Sequence, residues 1–442
     1  MVFPYFQTFN PAPDFVGMDI KKLAEQYRHE LTQNLLPYWE RYAFDPQYGG
    51  VFEALDEEGE VISTDKPVAL QAQAVWAFAF AHNYLGPNSE WLQRAQQTAR
   101  FLLEKGRDDK GNWYQQLDRR GTPLTKSTDH FPALYAALAL GQLTQATGED
   151  AHAEDAQKTL AKLLRKRDSL LKKQKENPGG VPSGGAPSGG ALSVGRAFKS
   201  LEEFALIGHA LLEVQKYADP KWYNKTLDRY VEEMTSDFYD KRTDILLENV
   251  TPEGHFWDCP AGRTLVPGRV FEVANFMMDI ADRTRNRKLL NQMLDLTELT
   301  IRAAWDEARD GFFHQMDIKS QPPLDARWCH KLAWVHLEAL PALLKAHLLS
   351  ARPIFLETFE KAHNYIWKNF PDSESGAWFQ ELTREGAPFV RHKITPEMNL
   401  TSLVRSLADT AKLLEIIVQS KPQATTQPAK NRPTEVASKR NS

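Results

Sequence analysis

Two kinds of apolar pattern alternate along this chain. Segments near 19–42, 89–105, 153–173, 220–236, 284–305 and 353–368 carry apolar residues at helical spacing beside a charged face. Segments near 67–86, 129–147, 199–217, 268–283, 329–349 and 397–418 are apolar almost all round, as in VALQAQAVWAFAFAHNYL and KLAWVHLEALPALLKAHLL. A helix with one polar face lies at a surface; one without is buried on every side. Six of each kind in alternation predict an all-α fold, an (α/α)6 barrel of six helical hairpins with inner and outer rings.

A second pattern punctuates the first. About every 66 residues a phrase returns: a Gly followed by aromatics, then an acidic or polar turn ending in Gly. It reads AFDPQYGGVFEALDEEGEV at 43–61, GRDDKGNWYQQLDRRGTPL at 106–124 and DFYDKRTDILLENVTPEGHF at 237–256. It returns as AWDEARDGFFHQMDIKSQPP at 304–323 and NFPDSESGAWFQELTREGAPF at 369–389. The turns close on Gly59, Gly121, Gly254 and Gly386, with Ser320 in the equivalent place of the fourth copy. A sixth copy belongs near 188, where the chain carries ENPGGVPSGGAPSGGAL instead. A repeat of this length marks a closed array of like units. Alternating residues around turn glycines make each phrase a short β-hairpin that feeds an inner helix, so the hairpins rim one mouth of the barrel. The barrel is expected over 19–419, with an N-terminal extension at 1–18, a mobile loop at 177–192 and a polar tail at 420–442.

Composition narrows the class. With 442 residues, 42% of them hydrophobic, the chain has material for one large core. A net charge of −4 leaves no basic footprint for nucleic acid. Cys259 and Cys329 give neither a disulfide framework nor metal-ligand spacing. No secretory signal and no membrane-length apolar run is visible, so a cytoplasmic protein is expected. No Gly-rich phosphate loop joins a strand to a helix. No cofactor and no metal is called for; the expected partners are a small-molecule sugar and, at most, a second copy in a homodimer.

The blocks LLPYWERYAFDPQYGGVFEALDEEGEVISTDK at 35–66, GRDDKGNWYQQLDRRGTPL, ENVTPEGHFWDCPAGRTLVPG at 248–268 and HKLAWVHLEAL at 330–340 resemble the N-acylglucosamine 2-epimerase family over roughly 20–415. The resemblance implies the (α/α)6 barrel and activity on reducing sugars by proton removal at carbon 2. Inverting carbon 2 requires an acid/base group on each face of the sugar, for which histidine is the usual choice. It also requires a donor for the enediolate oxygen. The family supplies one His after a Pro-Gly, a second near the last inner helix, an Arg on the first inner helix and a Glu on the fifth.

Carried over residue by residue, much of this set is replaced. Pro-Gly-His reads Pro267-Gly268-Arg269, and an arginine does not deprotonate in proteins. The Arg of the first inner helix reads Gln73, and the second His, two residues before a Pro, reads Ile394. Glu338 and Glu272 keep their places, and His392 lies two residues from the lost position. The catalytic candidates are therefore Glu338, Glu272, His392 and His130, and the substrate-binding candidates Arg269, Lys331, Trp334, Gln73, Trp76 and Trp113. Arg269 and Glu272, one turn apart, suit an intrahelical ion pair as well as a ligand contact. Lys331, Val335 and Glu338 share a helical face, which suits a structural pair or a substrate-binding one. His336 and His209 suit hydrogen-bonded core positions, and the tryptophans serve either sugar stacking or hairpin packing. Three functions remain open: an epimerase or isomerase with rearranged bases, a sugar- or protein-binding descendant without turnover, and a different carbohydrate enzyme using Glu272 and Glu338. Inverting glycosidases hold their carboxyl groups roughly 6.5–9.5 Å apart, which makes that separation a discriminator.

Overall fold

The computed structural model describes residues 19–176, 198–395 and 398–420. The extension at 1–18, the loop at 177–192, the site of the sixth repeat phrase and nearly all of the tail lie outside them. The inner helices are Val68–Leu85, Phe131–Thr147, Leu201–Val214, Pro267–Arg283, Ala333–Ser350 and Leu400–Ser420. The outer helices are Ser89–Lys105, Asp150–Glu176, Pro220–Glu233, Arg287–Ala304 and Pro353–Asn369, preceded by Ile20–His29 and Leu36–Tyr42. A π-helical turn, Glu30–Leu35, joins the last two, and its buried Glu30 accepts from Trp378 Nε1 at 2.7 Å.

Each inner helix packs on the next, and the sixth returns to the first, which closes the ring. Each outer helix packs on the inner helix before it, and the first outer helix, at Ile20–His29, packs on the sixth inner one. This is the (α/α)6 barrel. Among the described residues no helix is long and apolar enough to cross a membrane.

The repeat phrases fold at the N-terminal ends of the inner helices, and their closing turns share one geometry. Gly59, Gly121, Gly254 and Gly386 all sit near φ +90°, and Ser320 is left-handed at +56°. Glycine adopts that region at least cost, which is why it recurs there. The hairpins also pair across repeats. Lys66–Pro67 joins Tyr114–Leu117 of the next phrase, Lys199–Ser200 joins Asn249–Val250, and Lys331–Leu332 joins Glu381–Leu382. Leu55 donates to the Ile394 carbonyl at 3.1 Å, so the last phrase is tied back to the first.

A buried charge cluster anchors several of these joints. Lys66 Nζ lies 3.2 Å from Asp45 and 2.7 Å from the Gly49 carbonyl, and Arg119 grips the same carboxylate at 2.9 Å. Four repeats on, Lys331 binds Asp306 at 3.1 Å and the Gly311 carbonyl at 3.2 Å, with Arg384 on Asp306 at 2.7 Å. Lys199 with Asp237 and Lys393 with Asp372 repeat the Lys–Asp half of the motif.

Candidate active site

Four inner helices bring their first three turns together around one chain of charges. Glu338, on the fifth, accepts through Oε1 from Ser402 and from the Arg405 guanidinium, both on the sixth. Arg405 also reaches Glu272 Oε1 at 3.3 Å. That oxygen takes His209 Nε2 at 2.9 Å, and Glu272 Oε2 takes Arg269. Arg269 continues to Glu202 at 3.3 Å, with its guanidinium 5.1 Å over the Trp334 ring. Helices four and five approach closely here: a Cβ on Gly268 would lie 2.8 Å from the Val335 Cα. Arg269, Glu272, His209, Glu338 and Arg405 are each at most 7% exposed.

Burial and pairing set the protonation states. Burial pushes the Glu338 carboxyl up, and the nearby Glu272 charge adds to this; Arg405 and Ser402 offset it only in part, leaving it at about 7. Glu272 is buried too, but Arg269, His209 and Arg405 together hold it below the ordinary carboxylate range. Burial and the Arg405 charge lower His209 to about 4 despite its bond to Glu272, so it is a neutral donor at Nε2. Glu248, at the hairpin beside Arg269 and Glu202, is pushed up by burial to about 8. Glu338 Oε2, Glu248 Oε2 and Arg269 Nε have no hydrogen-bond partner among the described residues.

Several expected residues are placed elsewhere. Lys331 does not share a face with Glu338: it lies in strand Lys331–Leu332, before the helix begins at Ala333, so helical spacing does not apply to it. Its ammonium turns to Asp306. Gln73 accepts from the Leu400 amide at 2.8 Å and caps the sixth inner helix. Trp76 donates to Glu213 at 3.0 Å and stacks on Phe80 within the barrel. His130 binds Glu203 and, with Trp113, lines a separate cavity of about 400 Å³ beside the helix Asp150–Glu176. His392 is exposed. Neither His130 nor His392 hydrogen-bonds to the charge chain. His336 is a core histidine: Nδ1 meets the Leu332 carbonyl at 2.7 Å and Nε2 accepts from Phe312. Glu272 and Glu338 accept from one Arg405 nitrogen, at 3.3 and 2.5 Å. Their bonded oxygens are thus closer together than an inverting glycosidase allows, with the guanidinium where the water would stand.

The family model for N-acylglucosamine 2-epimerase matches residues 50–399. The chain belongs to the N-acylglucosamine 2-epimerase family. It is 26% identical over 409 residues to the N-acylglucosamine 2-epimerase of Mus musculus, covering 90% of this chain and 93% of that one. It is 26% identical over 404 residues to that of Homo sapiens, covering 89% and 91%. The solved cellobiose 2-epimerase of Spirochaeta thermophila superposes with a TM-score of 0.75 at 17% identity, over 92% of this chain and all of that one. Within this family member, Arg405, Ser402, His209, Glu202 and Glu248 complete a cluster that motif matching did not reach. Arg405 carried a faint signal, a cation in the first two turns of an inner helix whose other charges, Asp409, Lys412 and Glu415, come later. Glu248 carried none, because only the pairing of Ser200 with Asn249 sets it beside Arg269.

Proposed function

We propose that this family member is an aldose–ketose isomerase that works with one carboxyl base, Glu338. Epimerisation at carbon 2 needs bases on both faces of the sugar; isomerisation needs one base that carries a proton between carbons 2 and 1 on a single face. Arg269 stands where the first histidine would be, and the buried, apolar Ile394 where the second would be. Glu338 is fixed at Oε1, its buried Oε2 has no hydrogen-bond partner among the described residues, and burial tunes it to the range where a general base is effective. That tuned carboxyl carries the proposal. Glu338 Oε2 takes the carbon 2 proton of the open-chain aldose, and the electron pair moves to the carbon 1 oxygen. A guanidinium, Arg405 or Arg269, balances the enediolate. The proton then returns to carbon 1 as the carbon 2 hydroxyl proton passes to the carbon 1 oxygen.

The experiment is incubation with glucose, mannose, N-acetylglucosamine and cellobiose in deuterated water, followed by proton NMR. Loss of the carbon 2 proton with growth of ketose signals is expected for at least one sugar. Epimer without ketose would overturn the one-base mechanism. A second reading, sugar binding without turnover, is favoured by the deep burial and mutual pairing of the charge chain. It prevails if no sugar exchanges.

A further inference from the structure

The charge chain contains more acid than base. Four carboxyl groups, Glu202, Glu248, Glu272 and Glu338, face two guanidinium groups, Arg269 and Arg405. Glu272 uses both oxygens on its partners. The two ends do not: among the described residues Glu338 Oε2 and Glu248 Oε2 are each without a partner, and so is the Arg269 Nε–H. Arg269 and Glu338 are 7% and 1% exposed, so these atoms are not simply turned to solvent. Glu203, the next acid along, is engaged by His130 and by Arg167 at 3.5 Å, while Asp129 near Glu202 adds to the excess.

We propose that the sugar this site takes is an amino sugar, with its protonated amine at the end of the chain opposite the aldehyde. This rests on the site being a sugar site and on Glu338 Oε2 meeting the reactive carbons. If that oxygen meets carbon 2, the far end of the sugar lies toward Glu248 and Glu202. There a neutral hydroxyl leaves Glu248 unpaired and Glu202 with only its share of Arg269, and a carboxylate or sulfonate adds another anion. An ammonium supplies the missing charge and three donors. The Arg269 Nε–H is left for a hydroxyl or carbonyl oxygen of the ligand. Glu202, its side chain one-third exposed, and the half-buried Glu248 both sit above the ordinary carboxylate range, so a cation arriving between them draws protons off.

The test is isothermal titration of the full chain at pH 7.5 with three sugars that differ only at carbon 6: glucose, 6-amino-6-deoxyglucose and glucuronic acid. The amino sugar is expected to bind at least tenfold tighter than glucose, and glucuronic acid more weakly than both. Repeating the titration in buffers of different ionisation enthalpy should reveal proton release with the amino sugar alone. E248Q, its fold verified by an unchanged Tm, should narrow the preference to below threefold. Equal or tighter binding of glucose or glucuronic acid overturns the inference and leaves the sugar site intact. Binding of none of the three overturns both.

Discussion

Two buried charge clusters lie seven residues apart on one stretch of chain, and they behave differently. At Lys331 every charge is answered: the ammonium by Asp306 and a carbonyl, the carboxylate by Arg384 as well. The same three-part arrangement recurs at Lys66, Asp45 and Arg119. At Glu338 the accounts stay open. One oxygen is held by two partners, the other by none among the described residues, and the carboxyl is raised rather than lowered. Asp306, equally sequestered, is pulled well below its ordinary range because Arg384 and Lys331 together outweigh burial. A saturated cluster fastens a hairpin to a helix; an unsaturated one retains capacity for a ligand. The two clusters differ in whether the second carboxylate oxygen is engaged.

The largest effect that would test this contrast is on turnover. Glu338→Gln keeps the shape and removes the base, so exchange at carbon 2 should fall by about 10²–10⁴, read by NMR, with Tm unchanged or raised. Residual exchange near the native rate would place the base elsewhere. Next comes Asp306→Ala, which strands the Lys331 ammonium and should cost about 3–5 kcal/mol in urea unfolding. Replacing Asp306 and Lys331 together by Leu and Met should recover most of that loss, as expected of a purely structural pair.

The two clusters should also part in their pH dependence. Glu338 must lose its proton to act, and its folded pKa is raised, so the exchange rate should climb as pH rises through about 7 and level off above. Because the native state holds that proton more tightly than the unfolded chain, Glu338 weakens the fold as pH rises from the ordinary carboxylate range to about 7. Asp306 has the opposite sign. Its lowered pKa stabilises the fold above the unfolded carboxylate range, and that stability is lost as pH falls below it. Denaturation midpoints of E338Q and D306A against pH should therefore diverge from the parent at opposite ends of the scale. The smallest effect expected is from Gln73→Ala, which removes the cap on the Leu400 amide and should cost about 1 kcal/mol. A larger loss in exchange than in stability would return Gln73 to the site.

Much of this architecture was legible before folding. The helices at 67–86 and 129–147 were marked by continuous apolar runs, and Val68–Leu85 and Phe131–Thr147 fall within them. The turn glycines marked the hairpins for the same reason they occupy them, a left-handed backbone. Lys331 was misplaced because a helical period was extended two residues past the start of its helix. The site was legible only where one helix carried its own signal, as with Glu338, Glu272 and Arg269. Arg405 and His209 stand 196 positions apart along the chain and meet only through the Glu272 they share.

By itself the sequence determined the barrel and its register, because periodicity and turn chemistry are local and each repeat restates them. It also determined that a permanent cation stands after Pro267-Gly268. Only the tertiary structure decided which charges are neutralised and which are left wanting. Protonation in a buried cluster depends on partners drawn from four helices and on the water that their packing excludes, and neither is written into any one segment.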